Sequence, residues 1–222
     1  MTQRKIFLTI ISVFLFANFA NAQGLGVQAG YVQSITRAKI STDEKMSRQP
    51  KLNGFKVGVF YEHDFYKGLG MSYGLNYSFL HDKTPWGQPN NYGITNSEKT
   101  QVQYFDVPLA FQYKLLIAQE LFLIFNVGPT FSYGLSNDTE KIEKNIINEE
   151  VHEIDNYADK YQRFDVLLGG NIGLQYKNYQ LRGGYDFGLL NLYASEYIST
   201  DAASYTRLAY RNEWNIKLIY NF

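Results

Sequence analysis

From Leu69 the chain reads LGMSYGLNYSF, so Leu69, Met71, Tyr73, Leu75, Tyr77 and Phe79 alternate with Gly70, Ser72, Gly74, Asn76 and Ser78. A period of two sustained over this length is the repeat of a β-strand with unlike faces, and no helix satisfies it. Seven further segments carry the same pattern. With this one, the eight run from Leu25 to Ser34, Asn53 to His63, Leu69 to Leu80, Thr100 to Lys114, Glu120 to Gly134, Gln162 to Tyr176, Tyr179 to Leu190, and Leu208 to Phe222. Most match the ten or so residues of a tilted membrane strand, roughly twice the length of an ordinary globular strand. The repeat restricts the chain to all-β architectures.

The connections alternate in length. Long loops occupy 35–52, 81–99, 135–161 and 191–207, and short links fall at DFYKG, LLIAQ and Lys177–Asn178. Short turns at one end and long loops at the other describe an up-and-down antiparallel barrel of eight strands, with both termini on the short-turn side. Residues 23–222 form one domain, because no linker, repeat or low-complexity tract divides them. Before them, MTQRK, an apolar run IFLTIISVFLF and ANA have the order of a secretory signal peptide cleaved after Ala22.

Alternation alone does not say whether the apolar face points inward or outward. The second face decides, because the outside of a soluble barrel needs Lys and Glu. Here it carries Gly26, Gln28, Gly30, Gly169, Asn171, Gly173 and Gln175. Small and amide side chains suit a narrow interior that must be filled and hydrogen-bonded. The bulky Leu, Val, Phe and Tyr face then meets lipid, and an aromatic content of 17% suits a surface that crosses two membrane interfaces. The terminal stripe Trp214, Ile216, Leu218, Tyr220 and Phe222 is the lipid face of the closing strand.

Charges of inward parity are few: Asp106, Arg163, Asp165, Arg182, Asp186, Arg211, Glu213 and Lys217. Buried charges must pair, so these residues are expected to form an interior network. It would serve either as a structural plug or as a proton or ion path. An eight-stranded barrel is only wide enough for side chains, which favours the plug.

Several motifs now point to a family. YFDVPLAFQYK, NVGPTFSYGLS, RFDVLLGGNIGLQY and LRGGYDFGLLNL together resemble strands four to seven of the PorT-like outer-membrane β-barrel domain common in Bacteroidetes. The similarity extends over nearly all of the chain after the leader. It implies a Gram-negative outer-membrane location, outer-membrane lipid as surroundings, and the barrel-assembly machinery as a partner that reads the stripe ending in Phe222. The family name is tied to type IX secretion, so secretion-system subunits are implied as partners of some members. No catalytic residue carries over.

Chemistry beyond the barrel has little support. Without cysteine there is no disulfide framework, thiolate metal site, Cys nucleophile or lipid-anchored N-terminus. A formal charge of zero argues against a nucleic-acid partner. His63–Asp64 and His81–Asp82 place acids beside bases, with Ser78 near His81, but adjacent strand residues point to opposite faces. Glu149, Glu150, His152, Glu153, Asp155 and Asp159 make an acidic loop whose spacing fits no calcium loop, and it reads as solvated surface. The single HE there lacks the second histidine of a zinc-protease motif. Ile142, Ile146, Ile147 and Val151 stand near helical spacing, which suggests a short surface helix. Trp86 sits at a Pro/Gly/Asn-rich loop tip, where an aromatic packs on a neighbouring loop or sits at the lipid interface, or else contacts a partner or glycan.

The expectation is a non-enzymatic barrel without catalytic residues, cofactor or metal, structural or interactive in the envelope, with surface ligands met through its long extracellular loops. Alternatives are a secretion accessory or narrow, porin-like conduit, and a rim lipid-modifying enzyme.

Overall fold

In the computed structural model, described for residues 24–40, 51–86, 95–144, 149–159, 161–193, 197–200 and 203–222, the alternating segments are antiparallel strands. They are β1 (Leu25–Ile40), β2 (Lys51–Tyr66), β3 (Leu69–Trp86), β4 (Thr95–Ala118), β5 (Leu121–Lys144), β6 (Glu149–Asp155), β7 (Phe164–Tyr176), β8 (Tyr179–Gly188), β9 (Tyr197–Thr200) and β10 (Ala203–Asn221). A single helical turn, α1 (Asn156–Asp159), follows β6. No helix among the described residues is long and apolar enough to cross a membrane. The expected leader lies outside the described residues.

Eight of the strands form the wall in the order β1-β2-β3-β4-β5-β7-β8-β10, and β1 pairs with β10 to close the ring. The seam is long, from Gly26↔Asn221 to Ile40↔Arg207. The Phe222 amide donates to the Leu25 carbonyl at 2.9 Å and extends the seam to the last residue. Closure satisfies every wall strand on both sides, as a hydrocarbon surround requires. The structure is therefore the expected eight-stranded antiparallel barrel.

The short end is tighter than the sequence suggested. Strands run through DFYKG and LLIAQ as far as Tyr66 and Ala118, leaving turns of two residues at Lys67–Gly68, Gln119–Glu120 and Lys177–Asn178. Lys67 and Gly68 both have positive φ, the geometry that matches strand twist in a two-residue hairpin. At Gly68 a Cβ would lie 2.2 Å from the Lys114 carbonyl, so the position admits only glycine without a shift.

At the other end the strands outrun the wall. Asp82–Trp86 pairs with Asn96–Thr100, Thr95–Gln101 pairs with Asp138–Lys144, and the latter segment also pairs with β6. This four-stranded blade replaces much of the expected loops. It corrects the helix expected around Ile142–Val151, because those two residues are cross-strand partners. Trp86 is likewise not at a tip: its backbone pairs with Asn96. Beside the seam, β9 and the start of β10 form a second short hairpin.

Parity sorts the side chains as expected. On β10, Ile216 is 49% and Leu218 66% exposed, whereas Arg211, Glu213 and Asn215 are buried. The outward residues of β4 and β7, including Phe111 and Ile172, are likewise exposed. Inward positions also hold an apolar cluster, Val32, Leu52, Leu80, Val102 and Tyr104, packed across the loop-side part of the lumen.

Candidate functional site: the barrel interior and its loop-side mouth

The lumen is filled in layers, and the strands deliver each layer by register. Nearest the short turns, Glu62 of β2 accepts ion pairs from Arg182 of β8 and from Lys114 of β4, the latter at 2.9 Å. Lys114 also reaches Asp64 at 3.0 Å, at the half-exposed edge of the mouth. Gln180 adds amide contacts to the Glu62 carboxylate at 3.4 Å.

Deeper in the lumen lies the second layer. Lys56 pairs with Asp106 at 2.9 Å and with Glu213 at 3.1 Å. Ser78 and Ser132 both donate to the Asp106 carboxylate, at 2.8 and 2.6 Å. Arg211 stands between Asp165 at 3.4 Å, Glu213 at 3.6 Å and Asp106 at 3.8 Å. Its guanidinium lies 3.9 Å from the Tyr104 ring centroid, a cation–π contact in a desolvated setting. Arg211, Asp106 and Glu213 are buried, so their charges are compensated within the cluster.

Between the layers is a cavity of about 50 Å³ lined by Lys56, Asn126, Asn171, Asp186, Asn215 and Lys217, among others. Asp186 accepts from Asn215 at 3.2 Å. Inward glycines make the room: a Cβ on Gly169 would meet Asp186 Oδ1 at 2.1 Å, and one on Gly173 would meet Arg182 Cγ at 2.6 Å. Across both layers and this cavity, Lys56, Lys114, Arg182, Arg211 and Lys217 face Glu62, Asp106, Asp165, Asp186 and Glu213. Apart from the half-exposed Asp64 at the edge, five cations meet five carboxylates, so the buried filling is balanced in formal charge.

Of the eight charges expected inside, seven are there. Arg163 is not. It lies just before β7 and is exposed, donating to the carbonyls of Gly134 at 3.2 Å and Leu135 at 2.9 Å. Strand parity does not extend to a residue outside the strand, and its charge caps backbone instead. Conversely Lys56, Glu62 and Lys114 were overlooked. Lys56 and Glu62 share the parity of Gly54, Gly58 and Phe60, and Lys114 that of Asp106 and Gln112, which is the signal that marks them inward.

Above the apolar cluster the loop-side mouth holds a chamber of about 170 Å³. The α1 turn roofs it. Asn156 is buried and donates to Thr139 at 2.7 Å and Asn137 at 3.2 Å. Tyr157 lies against Gly134, where any Cβ would strike its hydroxyl at 1.9 Å, and its ring sits 4.8 Å from the Arg163 guanidinium. Burial, followed by the neighbouring Tyr104 phenol, pushes the Tyr157 phenol above its usual value, so it remains a neutral donor. Arg163, Tyr157, Tyr104 and Arg211 thus form a column from the rim to the interior, with two phenol rings between two guanidinium groups. Beside it, Tyr161 and Tyr193 stack at 5.3 Å.

The histidine pairs do not converge. His63 is near the short turns and His81 near the loops, paired with Met71 and Asn53 respectively. Ser78 faces inward and is bonded to Asp106, on the opposite face of β3 from His81. In the acidic segment, His152, Glu153 and Asp155 are exposed on β6, while the side chains of Glu149, Glu150 and Asp159 lie outside the described residues, as does that of Trp86. Among the described residues no group of three or more His, Asp or Glu is arranged to hold a metal ion.

On the outer wall the terminal stripe has aromatic ends. Tyr220 and Phe222 pack edge-on at 5.5 Å, and Trp214 tilts against Tyr31 at 5.2 Å while donating to Gln33 at 2.8 Å. Ile216 and Leu218 form the aliphatic centre, the pattern of a lipid band between two interfacial girdles.

Residues 11–194 match the family model described as outer membrane protein β-barrel domain. Among solved structures, Ail of Yersinia pestis is similar with 15% identity and a TM-score of 0.42, covering 90% of this chain and 99% of its own. OprG of Pseudomonas aeruginosa gives 12% and 0.42 over 90% and 97%, and the protease OmpT of Escherichia coli gives 10% and 0.30 over 91% and 98%. No curated protein matches.

Proposed function

The chain belongs to the outer membrane protein β-barrel domain family and is an outer-membrane β-barrel, and from that premise we propose that it is a non-enzymatic, non-conducting barrel whose role in the cell envelope is structural and interactive. One observation carries this reading. The lumen is occupied by a charge-balanced set of paired side chains, with the apolar cluster around Val32, Leu80 and Val102 packed across its loop-side part. A charge-balanced filling neither attracts an ion nor leaves a continuous wet path for one. The dispersed histidines, with Ser78 committed to Asp106, support a role without catalysis.

By the usual plan of such barrels the short turns face the periplasm and the strand-extended blade projects outward. The blade of β3 to β6 offers the contact surface. The resemblance to PorT-like barrels of Bacteroidetes supports a second reading, an accessory of type IX-like secretion, in which the same blade or the periplasmic mouth meets secretion subunits. The terminal stripe, exposed to its last residue, supports recognition by the barrel-assembly machinery.

Planar bilayers test the first reading. The purified barrel is expected to insert without stepwise conductance, and steady unitary steps would overturn it in favour of a conduit. Affinity capture from the native envelope separates the two roles: lipid and assembly factors alone fit the structural barrel, and reproducible secretion subunits fit the accessory.

A further inference from the structure

We propose that the chamber at the loop-side mouth binds a small neutral polyol of about the size of a monosaccharide. Its volume of about 170 Å³ equals the liquid share of roughly six waters, a space of the order of one sugar ring. The lining is chemically mixed in a specific way. Thr100, Asn137, Thr139 and Asn156 form a linked row of hydroxyls and amides. The phenol rings of Tyr157 and Tyr161 supply flat apolar faces. On the floor is Asp165, buried, whose Oδ1 accepts from the Val166 amide at 2.8 Å and whose Oδ2 accepts no hydrogen bond and lies 3.4 Å from the Arg211 guanidinium.

Each class of ligand can be weighed against this lining. An apolar ligand would leave the Asp165 oxygen and the threonine hydroxyls unmatched, which is costly in a desolvated site. An anion would meet the Asp165 carboxylate. A cation would meet Arg163 at the rim and Arg211 beneath the floor, and either ion would unbalance a filling that is already neutral. Hydroxyl groups both donate and accept. They can donate to Asp165, exchange bonds with the threonine and asparagine row, and leave C–H edges for the tyrosine faces. Gln162 and Arg163 are exposed at the edge of the chamber and mark its opening.

The inference goes beyond the proposed envelope role and is independent of it, since binding is measured on the isolated full chain. The barrel is refolded in an amine-oxide detergent, which carries no sugar headgroup, and its folded form is verified by heat-modifiable migration. Free neutral aldoses and inositol are then titrated by saturation-transfer NMR, with uronic acids and amino sugars as charged counterparts. For about a dozen heavy atoms at ordinary ligand efficiency the dissociation constant is on the order of 1 mM. At least one neutral polyol is expected to saturate in that range. Thr100→Phe, which fills the chamber, is expected to weaken it more than tenfold. Gln162→Trp changes only an exposed residue at the opening; if Thr100→Phe does not fold, the same loss is expected from this variant. Absence of saturation by every neutral polyol at tenfold higher concentration would overturn the proposal. So would binding untouched by the folded variants, or a preference for the charged sugars.

Discussion

Arg211→Met is expected to remove most of the stability of the folded barrel. The guanidinium is 1% exposed and is the cation nearest to Asp165, lying between it, Asp106 and Glu213. Methionine replaces its volume, so the loss is electrostatic. Breaking one partner of a buried ionic cluster costs about 3–5 kcal/mol, because the remaining charges stay buried without compensation. The measurement is the denaturant midpoint of the heat-modifiable band in detergent. Converting Asp165 to leucine in the same chain removes the carboxylate that depends most on Arg211, and part of the stability should return. If the single variant unfolds at the parent midpoint, the interior cluster contributes nothing and the electrostatic reading is wrong.

The second large effect belongs to the opposite face. Leu218 is 66% exposed on the outer wall, and it sits between Tyr220–Phe222 at one end and Trp214 at the other. That places it near the centre of the lipid band. Leu218→Arg should therefore cost about 2–4 kcal/mol for insertion into bilayers, falling towards zero for an arginine near a girdle. Folding into short-chain and long-chain vesicles, followed by electrophoretic mobility, reads this directly. An arginine tolerated equally at Leu218 and at Tyr220 would argue against a lipid-facing stripe.

The two effects differ in kind, and that difference follows from the alternating pattern. Along β10 every second residue from Arg211 to Asn221 faces the lumen and every second residue from Trp214 to Phe222 faces outward. A period of two made this legible before any coordinates. It also made Asp106, Asp165, Arg182 and Asp186 recognisable as interior, because each sits within a strand whose other inward residues are small or amide. Lys56, Glu62 and Lys114 obey the same rule and were recoverable by it. Arg163 was misjudged because parity ends where the strand ends, one residue later at Phe164.

The strand extensions were not legible, for a physical reason. Beyond the wall no strand face meets lipid and the inward positions are polar, so the apolar alternation is lost: Asn137 and Thr139 are buried, Lys141 is exposed, and Lys99 pairs with Glu140 at 3.2 Å. Of the residues at helical spacing, Ile142 and Val151 are cross-strand partners on β5 and β6, and Ile146 and Ile147 lie outside the described residues. The mouth was hidden for another reason. Tyr157 meets Gly134 and Arg163, and Asn156 meets Asn137 and Thr139, only after a chain reversal whose path no local pattern encodes. Pairs of that kind are visible in three dimensions alone.

The division into a lipid face and a filled lumen is the claim on which everything else depends. The chain contains no cysteine, so single cysteines carrying a nitroxide can be placed at each position from Trp214 to Tyr220 without background. Collision of the nitroxide with oxygen, which dissolves in acyl chains, and with a polar nickel chelate, which does not, reports each environment in bilayers. Oxygen collision is expected to be high at 214, 216, 218 and 220 and low at 215, 217 and 219, with the chelate excluded most strongly at 216 and 218. High oxygen access at the odd positions, or no period of two at all, would contradict the arrangement.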